Sequence, residues 1–179
     1  MGLIASGKST LAKAFARASA LPYYNTDVVR KELAGKSPAS RQGNALNQGI
    51  YTTEFSRRTY DTLLDHAGRE LTLNRSVVLD GSYHRRTERQ RLVQRAAACG
   101  APLFFILCRC DEDETARRLA LRAKNPLAVS DGTWEIYQRQ KESFEFPDEL
   151  SPSSLIVMDT SGSVAVLLRN LTDILAKNR

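Results

Sequence analysis

The first residues of the chain form a pattern that is typical of phosphate binding. Residues 2–9 read G-x-x-x-x-G-K-[ST], a loop whose backbone N–H groups wrap the phosphates of a nucleotide. In this pattern Lys8 supplies a cation for the β- and γ-phosphates, and the Ser9 hydroxyl is a ligand for Mg²⁺. Gly2 and Gly7 permit close approaches that a Cβ would block. The alternative, a flexible Gly- and Ser-containing terminus, is disfavoured because a helical pattern follows without a break.

Two aspartates follow segments that read as strands. Asp27 comes after the segment 21–25, and Arg30 lies one helical turn later on the same face. A carboxylate there is a candidate base for a substrate hydroxyl that attacks the γ-phosphate, and Arg30 is a candidate for holding a charged substrate. The alternative for Asp27 is an ordinary helix N-cap. Asp80 ends the apolar segment 76–80, where an enzyme with this loop places the acid that holds Mg²⁺; the alternatives are a turn residue or a cap.

Arginines further along the chain are candidates for a lid over the triphosphate. Arg122 is the first choice, because its helix breaks just after it, and Arg118 is the second. Arginine supplied in this way stabilises the charge that develops during phosphoryl transfer. We expect the lid to span about residues 117–135. The alternative is that both arginines face solvent on a helix.

A second basic run follows Asp80. It contains Ser82, Tyr83, His84, Arg85, Arg86, Arg89 and Arg91. Some of these side chains are expected to line a substrate cleft, and most of the run is predicted to be a solvated helix face.

Hydrophobic periodicity supplies the elements that must position these side chains. Helices are predicted at 9–20, 26–33, 53–74, 87–97, 111–122, 134–143 and 164–175. Strands are predicted at 21–25, 76–80, 103–109 and 155–158, and residues 36–49 read as a surface loop. Strands that alternate with helices indicate an α/β fold with a parallel sheet between two layers of helices. The prediction is one domain over residues 1–179.

The strand that normally precedes a phosphate-binding loop is absent from this sequence. Only Met1 comes before Gly2, whereas the motif belongs between a strand and a helix. We expect that the natural chain begins upstream or that this chain is a piece of a longer protein. The other explanation, a fold that has lost its central strand, is less favoured.

The bulk composition is that of a soluble, basic protein. The chain has 179 residues, a formal net charge of +6 supplied mostly by arginine, and 42% hydrophobic residues. The longest apolar run, residues 101–108, is far shorter than a membrane span, and the polar Ser6 interrupts any signal-peptide core. These features predict a cytoplasmic protein. The three cysteines show no zinc-ligand spacing, and the arginines are compatible either with anionic ligands or with an Arg-rich surface.

With these motifs in place, the chain resembles a P-loop kinase over residues 2–161. It is similar to predicted kinases near polynucleotide kinase, zeta-toxin, chloramphenicol phosphotransferase and gluconate kinase, and to the kinase module fused behind aminoglycoside-phosphotransferase-like domains. The resemblance implies ATP and Mg²⁺ as cofactors, a P-loop NTPase fold with a helical lid, and an upstream fused domain as a possible companion. The nucleotide-binding residues that it implies are Gly2, Ser6, Gly7, Lys8, Ser9, Thr10, Arg118 and Thr160, the last in the turn after Asp159 where adenine would lie.

Three functions compete at this stage. The first is a kinase that transfers the γ-phosphate of ATP to a hydroxyl of a small molecule, with Lys8, Asp27 and Arg122 as catalytic residues and Ser9 and Asp80 as metal ligands. The second is a polynucleotide 5′-hydroxyl kinase, suggested by the positive charge and by four tyrosines that could stack on bases: Tyr23, Tyr24, Tyr51 and Tyr83. The third is an ATP-binding regulatory module without transfer activity. The first is preferred.

Overall fold

The computed structural model describes residues 1–37, 49–124 and 132–178. Within them the helices are α1 (Lys8–Ala18), α2 (Thr26–Leu33), α3 (Thr53–Thr72), α4 (Arg86–Ala98), α5 (Glu112–Ala123), α6 (Trp134–Glu142) and α7 (Val164–Lys177). The strands are β1 (Tyr23–Asn25), β2 (Val78–Asp80), β3 (Phe105–Arg109) and β4 (Leu155–Asp159), and a short 3₁₀ helix spans Gly49–Tyr51. All of the predicted helices and strands that fall in this part of the chain are confirmed, with shifts of a few residues at their ends.

The strands form two parallel pairs. β1 pairs with β2, so that Asn25 and Asp80 lie opposite each other at the carboxyl ends. β3 pairs with β4 from Phe105 opposite Leu155 to Arg109 opposite Asp159. The parallel direction is as predicted, and within each pair it brings both carboxyl ends to the same edge, where parallel α/β sheets bind ligands.

Met1 and Gly2 lie between the two strand pairs. The terminal amine of Met1 donates to the Ile106 carbonyl at 2.6 Å, and the Cys108 N–H donates to the Met1 carbonyl at 2.9 Å. This is the hydrogen-bond pattern of a parallel ladder. On the other side the Gly2 N–H donates to the Ser82 carbonyl at 3.1 Å, just beyond β2. Two residues therefore take the position that a central strand would hold. Burial lowers the pKa of the Met1 amine.

Hydrophobic clusters cover both faces of the strands. One cluster packs α2, α3 and α4 against β3, and its buried members are Met1, Val29, Tyr60, Leu63, Leu64, Tyr83, Leu92, Phe105 and Leu107. The other packs α1 and α7 against β3 and β4, with Leu11, Cys108, Ile156, Met158, Leu167 and Leu171 buried. Because Leu107 and Cys108 belong to different clusters, β3 is buried on both faces. The predicted sandwich of helices around a parallel sheet is confirmed.

The region after β2 differs from its prediction. Helix α4 begins at Arg86, one residue before its predicted start, and its N-cap, Arg85, makes no side-chain capping bond. Arg89 was expected on a solvated face and is instead fully buried. Most of the predicted loop at 36–49 and the middle of the predicted lid lie outside the described residues. No helix in the described part of the chain is long and apolar enough to cross a membrane.

Candidate active site

The phosphate loop, residues 2–9, leads into α1 with its helix end uncapped. Gly7 is the N-cap of α1 at φ +78, and no side chain makes a capping bond there. The first turn also contains no acidic residue. The first N–H groups of a helix lack partners within the helix, and together with the helix dipole they attract anions. This end of α1 is therefore suited to a phosphate group.

Close packing explains why the loop begins with glycine. Gly2 has φ +136, and a Cβ built on it would lie 2.4 Å from the Cys108 carbonyl oxygen. At the other end of the loop, a Cβ on Gly7 would lie 3.0 Å from Arg118 Nη1 and from Thr160 Oγ1. Alanine at residue 2 would collide with backbone, which cannot move aside as a side chain can.

Two residues that the resemblance assigned to nucleotide binding contact the loop itself. The buried Thr160 hydroxyl donates to the Ser6 carbonyl at 2.7 Å. Arg118 donates through Nη1 to the Ala5 carbonyl at 3.2 Å and through Nη2 to the Thr160 carbonyl at 2.6 Å. Its Nε donates to Glu114 at 2.7 Å. Arg118 and Thr160 thus hold the loop against α5 and against the turn after β4. Helix periodicity alone could not reveal these contacts.

The remaining loop residues differ in their contacts and exposure. Lys8 is half-buried, and its Nζ donates to the Leu3 carbonyl at 3.1 Å. Burial lowers the pKa of Lys8, while the nearby carboxylates of Asp80 and Asp27 act to raise it. Ser9 and Thr10 lie in the first turn of α1, with Thr10 exposed. The Ser6 hydroxyl is buried and has no hydrogen-bond partner within the described chain.

Asp80 is buried and held by two side chains from β1. The Tyr23 hydroxyl donates to Asp80 Oδ2 at 2.5 Å, and the Asn25 side-chain amide donates to the same oxygen at 2.6 Å. The pairing of Asn25 with Asp80 in the β1–β2 register makes both contacts possible. Burial, followed by the Asp80 charge, raises the pKa of Tyr23 well above its usual range, so the phenol remains a donor. Asp80 is not a helix cap, and these donors orient its carboxylate.

The carboxylate of Asp27 is not used for capping. The N-cap of α2 is Asn25, whose side-chain oxygen accepts from the N–H groups of Asp27 and Val28 at 3.0 and 3.1 Å. Desolvation raises the pKa of Asp27, whereas the charges of Lys8 and Arg30 act to lower it. The alternative interpretation of Asp27 as an ordinary N-cap is therefore wrong. Its side chain lies within the field of the phosphate-loop lysine.

Both candidate arginines of the site lie near Asp27. Arg30 is 7% exposed, and its Nη1 donates to the Ile50 carbonyl and to Ser56 Oγ, each at 3.0 Å. Arg122 is partly buried, and this desolvation lowers its pKa while Asp27 acts to raise it. The structure therefore brings Arg122 and Asp27 within electrostatic reach of each other from different parts of the chain.

A cleft of about 510 Å³ opens over Lys8, Asp27 and Arg30. Its lining includes Lys8, Asp27, Arg30, Tyr51, Arg57, Tyr60, Ser82, His84, Arg85, Glu88, Ile136, Arg139 and Gln140. On one wall Tyr60, Ser82 and His84 Nδ1 form a hydrogen-bonded chain with spacings of 3.2 and 3.1 Å. Burial lowers the pKa of His84 to about 4, so its imidazole is neutral at pH 7. Ser82 and His84 belong to the basic run that the sequence had placed near a cleft.

Helix α6 supplies a wall that sequence reasoning missed. Ile136, Arg139 and Gln140 line the cleft, and Gln140 Oε1 accepts from the Ile4 N–H of the phosphate loop at 2.6 Å. The periodicity of α6 indicates a helix but gives no sign of which element it packs against. The contact with Ile4 is made across 136 residues of sequence.

Comparisons with known proteins agree with this architecture. The family model AAA_33, described as an AAA domain, matches residues 1–147. None of the curated proteins matches the chain. Among solved structures, a gluconokinase from Sinorhizobium meliloti 1021 is similar with a TM-score of 0.69 and 21% identity, over 99% of this chain and 89% of that chain.

Two further structures are similar over nearly the whole chain. A sugar kinase from Janibacter sp. HTCC2649 has a TM-score of 0.71 and 22% identity, over 98% of this chain and 91% of that chain. The APS kinase of Mycobacterium tuberculosis, solved with AMPPNP and APS, has a TM-score of 0.65 and 18% identity, over 98% and 94%. At these identities the likeness shows the fold, which is that of the P-loop kinases.

Proposed function

We propose a phosphotransferase activity for this chain, which belongs to the AAA_33 family of AAA domains. The reaction is transfer of the γ-phosphate of ATP to a hydroxyl of a small-molecule acceptor. One observation carries the proposal: the uncapped end of α1, Lys8 and the non-capping carboxylate of Asp27 face the same cleft. The similar structures include kinases of small molecules, which agrees with this reaction class.

Each residue has a role that follows from its position. The N–H groups at the start of α1 and the Lys8 ammonium bind the phosphates. Asp27 accepts the proton of the acceptor hydroxyl while the hydroxyl oxygen forms a bond to the γ-phosphorus. The bond between the γ-phosphorus and the β–γ bridging oxygen breaks at the same time, and ADP is released. Arg122, close to Asp27, stabilises charge on the transferred group. Arg118 and Thr160 keep the loop in place through its carbonyls.

The residues present fit a magnesium ion. Mg²⁺ prefers oxygen ligands and keeps several waters, so a carboxylate and a hydroxyl suffice as its protein ligands. Asp80 has both hydrogen bonds on Oδ2, which leaves Oδ1 as the oxygen to face a cation, and the Ser9 hydroxyl stands in the first turn of α1. When bound, the ion neutralises charge on the β- and γ-phosphates.

The nucleic-acid alternative loses one of its supports. Tyr23 is bonded to Asp80, Tyr24 stacks on His66 at a centroid distance of 4.3 Å, and Tyr83 is buried in the core. Of the four tyrosines considered as base-stacking platforms, Tyr51 is the one that lines the cleft. A small-molecule acceptor agrees better with this arrangement.

Transfer of labelled γ-phosphate from Mg-ATP tests the proposal. The acceptor panel holds sugars, hydroxy acids, aminoglycosides, nucleosides and a 5′-hydroxyl oligonucleotide. We expect Asp27→Asn to lower the transfer rate by about 10²- to 10⁴-fold while ADP affinity, measured by calorimetry, is kept. Lys8→Ala should weaken nucleotide binding itself. Asp65→Asn, on the exposed face of α3, is the matched control and should retain full activity.

Two outcomes would contradict the proposal. Nucleotide binding without transfer to any acceptor would favour a regulatory module. Unchanged transfer by Asp27→Asn would remove the assigned base.

A further inference from the structure

We propose that the acceptor is a small hydroxy acid, whose oxyanion is bound by Arg30 at the floor of the cleft and by Arg85 and Arg139 at its rim. This inference rests on the proposed function and names the substrate class of the same site. The oxyanion is a carboxylate, sulfate or phosphate group carried by the molecule that also presents the hydroxyl to Asp27.

Arg30 is a buried cation with no ion-pair partner among the residues that the structure describes. Its guanidinium is held by two neutral acceptors, the Ile50 carbonyl and Ser56 Oγ, and lies 5.0 Å from the Tyr51 ring centroid. Its Nε has no hydrogen-bond partner in the described part of the chain. Asp27 is near enough for the two charges to interact, yet no ion pair joins it to Arg30 among the described contacts. A buried charge is costly unless it is paired, so a partner supplied by a ligand is indicated.

The connection between α2 and the next helix supplies no carboxylate. Residues 38–48, which connect α2 to the 3₁₀ helix, contain no Asp or Glu. Arg57, another arginine of the cleft, differs because Glu54 and Asp61 pair with it at 2.8 and 3.1 Å. Among the described residues Arg57 therefore has carboxylate partners and Arg30 has none, which agrees with an external anion at Arg30.

Two further guanidinium groups add positive charge at the rim. Arg85 precedes α4, and Arg139 lies on α6, so they approach the cleft from different walls. Neither forms an ion pair within the ranges that the structure describes. Besides Asp27, Glu88 is the acid of the lining, and it pairs with Arg91 at 3.5 Å. Arginine forks bind carboxylate and phosphate oxygens through two parallel hydrogen bonds.

Cleft size and helical spacing define the length of the acceptor. A cleft of about 510 Å³ matches a small molecule. Asp27 and Arg30 are three residues apart on α2, so their Cβ atoms are separated by roughly 5–6 Å. An acceptor of a few carbon atoms therefore reaches both groups. The Ser82–His84 pair on the facing wall is available to further hydroxyls.

Anion binding is measured first, without any transfer reaction. The protein is saturated with ADP to fill the phosphate loop, and its melting temperature is followed as sodium sulfate is added, with sodium chloride at matched ionic strength as reference. We expect sulfate to raise the melting temperature of the wild type and of Arg17→Gln, an exposed control on α1. The rise should be lost in Arg30→Gln. No rise in the wild type, or the same rise in Arg30→Gln, would overturn the proposal.

A second pair of variants covers the case in which Arg30→Gln does not fold. Calorimetric ADP binding reports the fold of each variant. Arg30→Lys keeps the cation and removes the fork, and the double variant Arg85→Gln/Arg139→Gln changes exposed residues. Both should reduce the sulfate response below that of the wild type, and a full response in both would refute the assignment.

Paired acceptors then distinguish the sources of the oxyanion. Labelled transfer is compared for glycerate with glycerol, gluconate with glucitol, and ribose 5-phosphate with ribose, beside a 5′-hydroxyl oligonucleotide. We expect a lower KM for the anionic member of a pair, and Arg30→Gln should raise that KM by about 10- to 100-fold. Preference for the neutral members or for the oligonucleotide would refute a small hydroxy acid. Sulfate binding without transfer to any acceptor would count against the proposed function alone.

Discussion

A methyl group at Gly2 tests how strictly the phosphate loop depends on its contact with β3. In Gly2→Ala the new Cβ would lie 2.4 Å from the Cys108 carbonyl oxygen and 2.9 Å from Ser6 Oγ. The carbonyl belongs to a strand that is paired with β4, so rotation of a side chain cannot relieve the contact. The backbone at this position has φ +136, which an L-residue adopts only with strain.

The expected loss of stability is bounded in two ways. Backbone strain of about 1–3 kcal/mol and overpacking of about 1–3 kcal/mol act together if residue 2 stays in place. If Met1 and Gly2 detach instead, the chain loses their hydrogen bonds to Ile106, Cys108 and Ser82, each worth about 0.5–1.5 kcal/mol. The chain will take the less costly route, so we expect a loss of about 2–4 kcal/mol in the free energy of unfolding.

Two other glycines separate strain from collision. Gly35 has φ +65 with no atom within 4 Å of an added Cβ, so Gly35→Ala should lose about 1–2 kcal/mol from backbone strain alone. Gly162 has open space and no positive φ, and Gly162→Ala should be close to neutral. Urea unfolding gives the three stabilities, and calorimetry gives ADP affinity, which should fall about tenfold or more only for Gly2→Ala. A loss for Gly2→Ala no larger than for Gly35→Ala would refute the reasoning.

Three further predictions concern titration and buried charge. Desolvation raises the pKa of Asp27, so the transfer rate should begin to fall, as the pH is lowered, at a pH above the ordinary pKa of an aspartate. In Asp27→Glu the acid limb of the pH–rate profile should lie at a different pH. The pKa of His84 is lowered to about 4 in the folded protein, so as the pH falls the unfolded chain is protonated at this residue before the folded one. The free energy of unfolding should therefore fall by up to about 3 kcal/mol between pH 6.5 and pH 4. Urea unfolding of His84→Gln should show a weaker pH dependence over the same range. Glu149→Gln leaves the fully buried Arg89 without its carboxylate and should lose about 3–5 kcal/mol in urea unfolding, whereas its exposed neighbour Asp148→Asn should lose less than about 1 kcal/mol.

The sequence predicted the elements because each carries a periodic pattern within its own length. The helical stripe of α1, the apolar run of β3 and the carboxylates that follow β1 and β2 are all local signals. The sequence left open whether Asp27 caps α2, and only the structure shows that Asn25 makes the capping bonds. That assignment matters, because it releases the Asp27 carboxylate for chemistry.

What could not be predicted depends on contacts between distant segments. Arg89 looks like a solvated residue in its helix, yet Glu149, which is 60 residues away, meets it with two hydrogen bonds of 2.6 and 3.1 Å. The wall of the cleft that α6 forms through Arg139 likewise depends on packing between segments that are distant in sequence. The sequence also gives no sign that Arg118 donates to the Ala5 carbonyl of the loop and to the Thr160 carbonyl. Periodicity describes one face of one element and contains no information about its partner.

The position of the phosphate loop between two strand pairs determines how the reacting groups meet. Asp27 and Asp80 belong to the β1–β2 pair, whereas Thr160 follows β4, which pairs with β3. Met1 forms hydrogen bonds with β3, and Gly2 forms one with Ser82 just beyond β2, so these two residues connect the strand pairs. The loop continues from them to Lys8, which lines the cleft. Helix α1 also packs on β1 and β2, so these contacts and those of Met1 and Gly2 together set the separation of Lys8 from Asp27. Under the proposed function, a nucleotide on the loop and an acceptor on α2 would add a connection between α1 and α2.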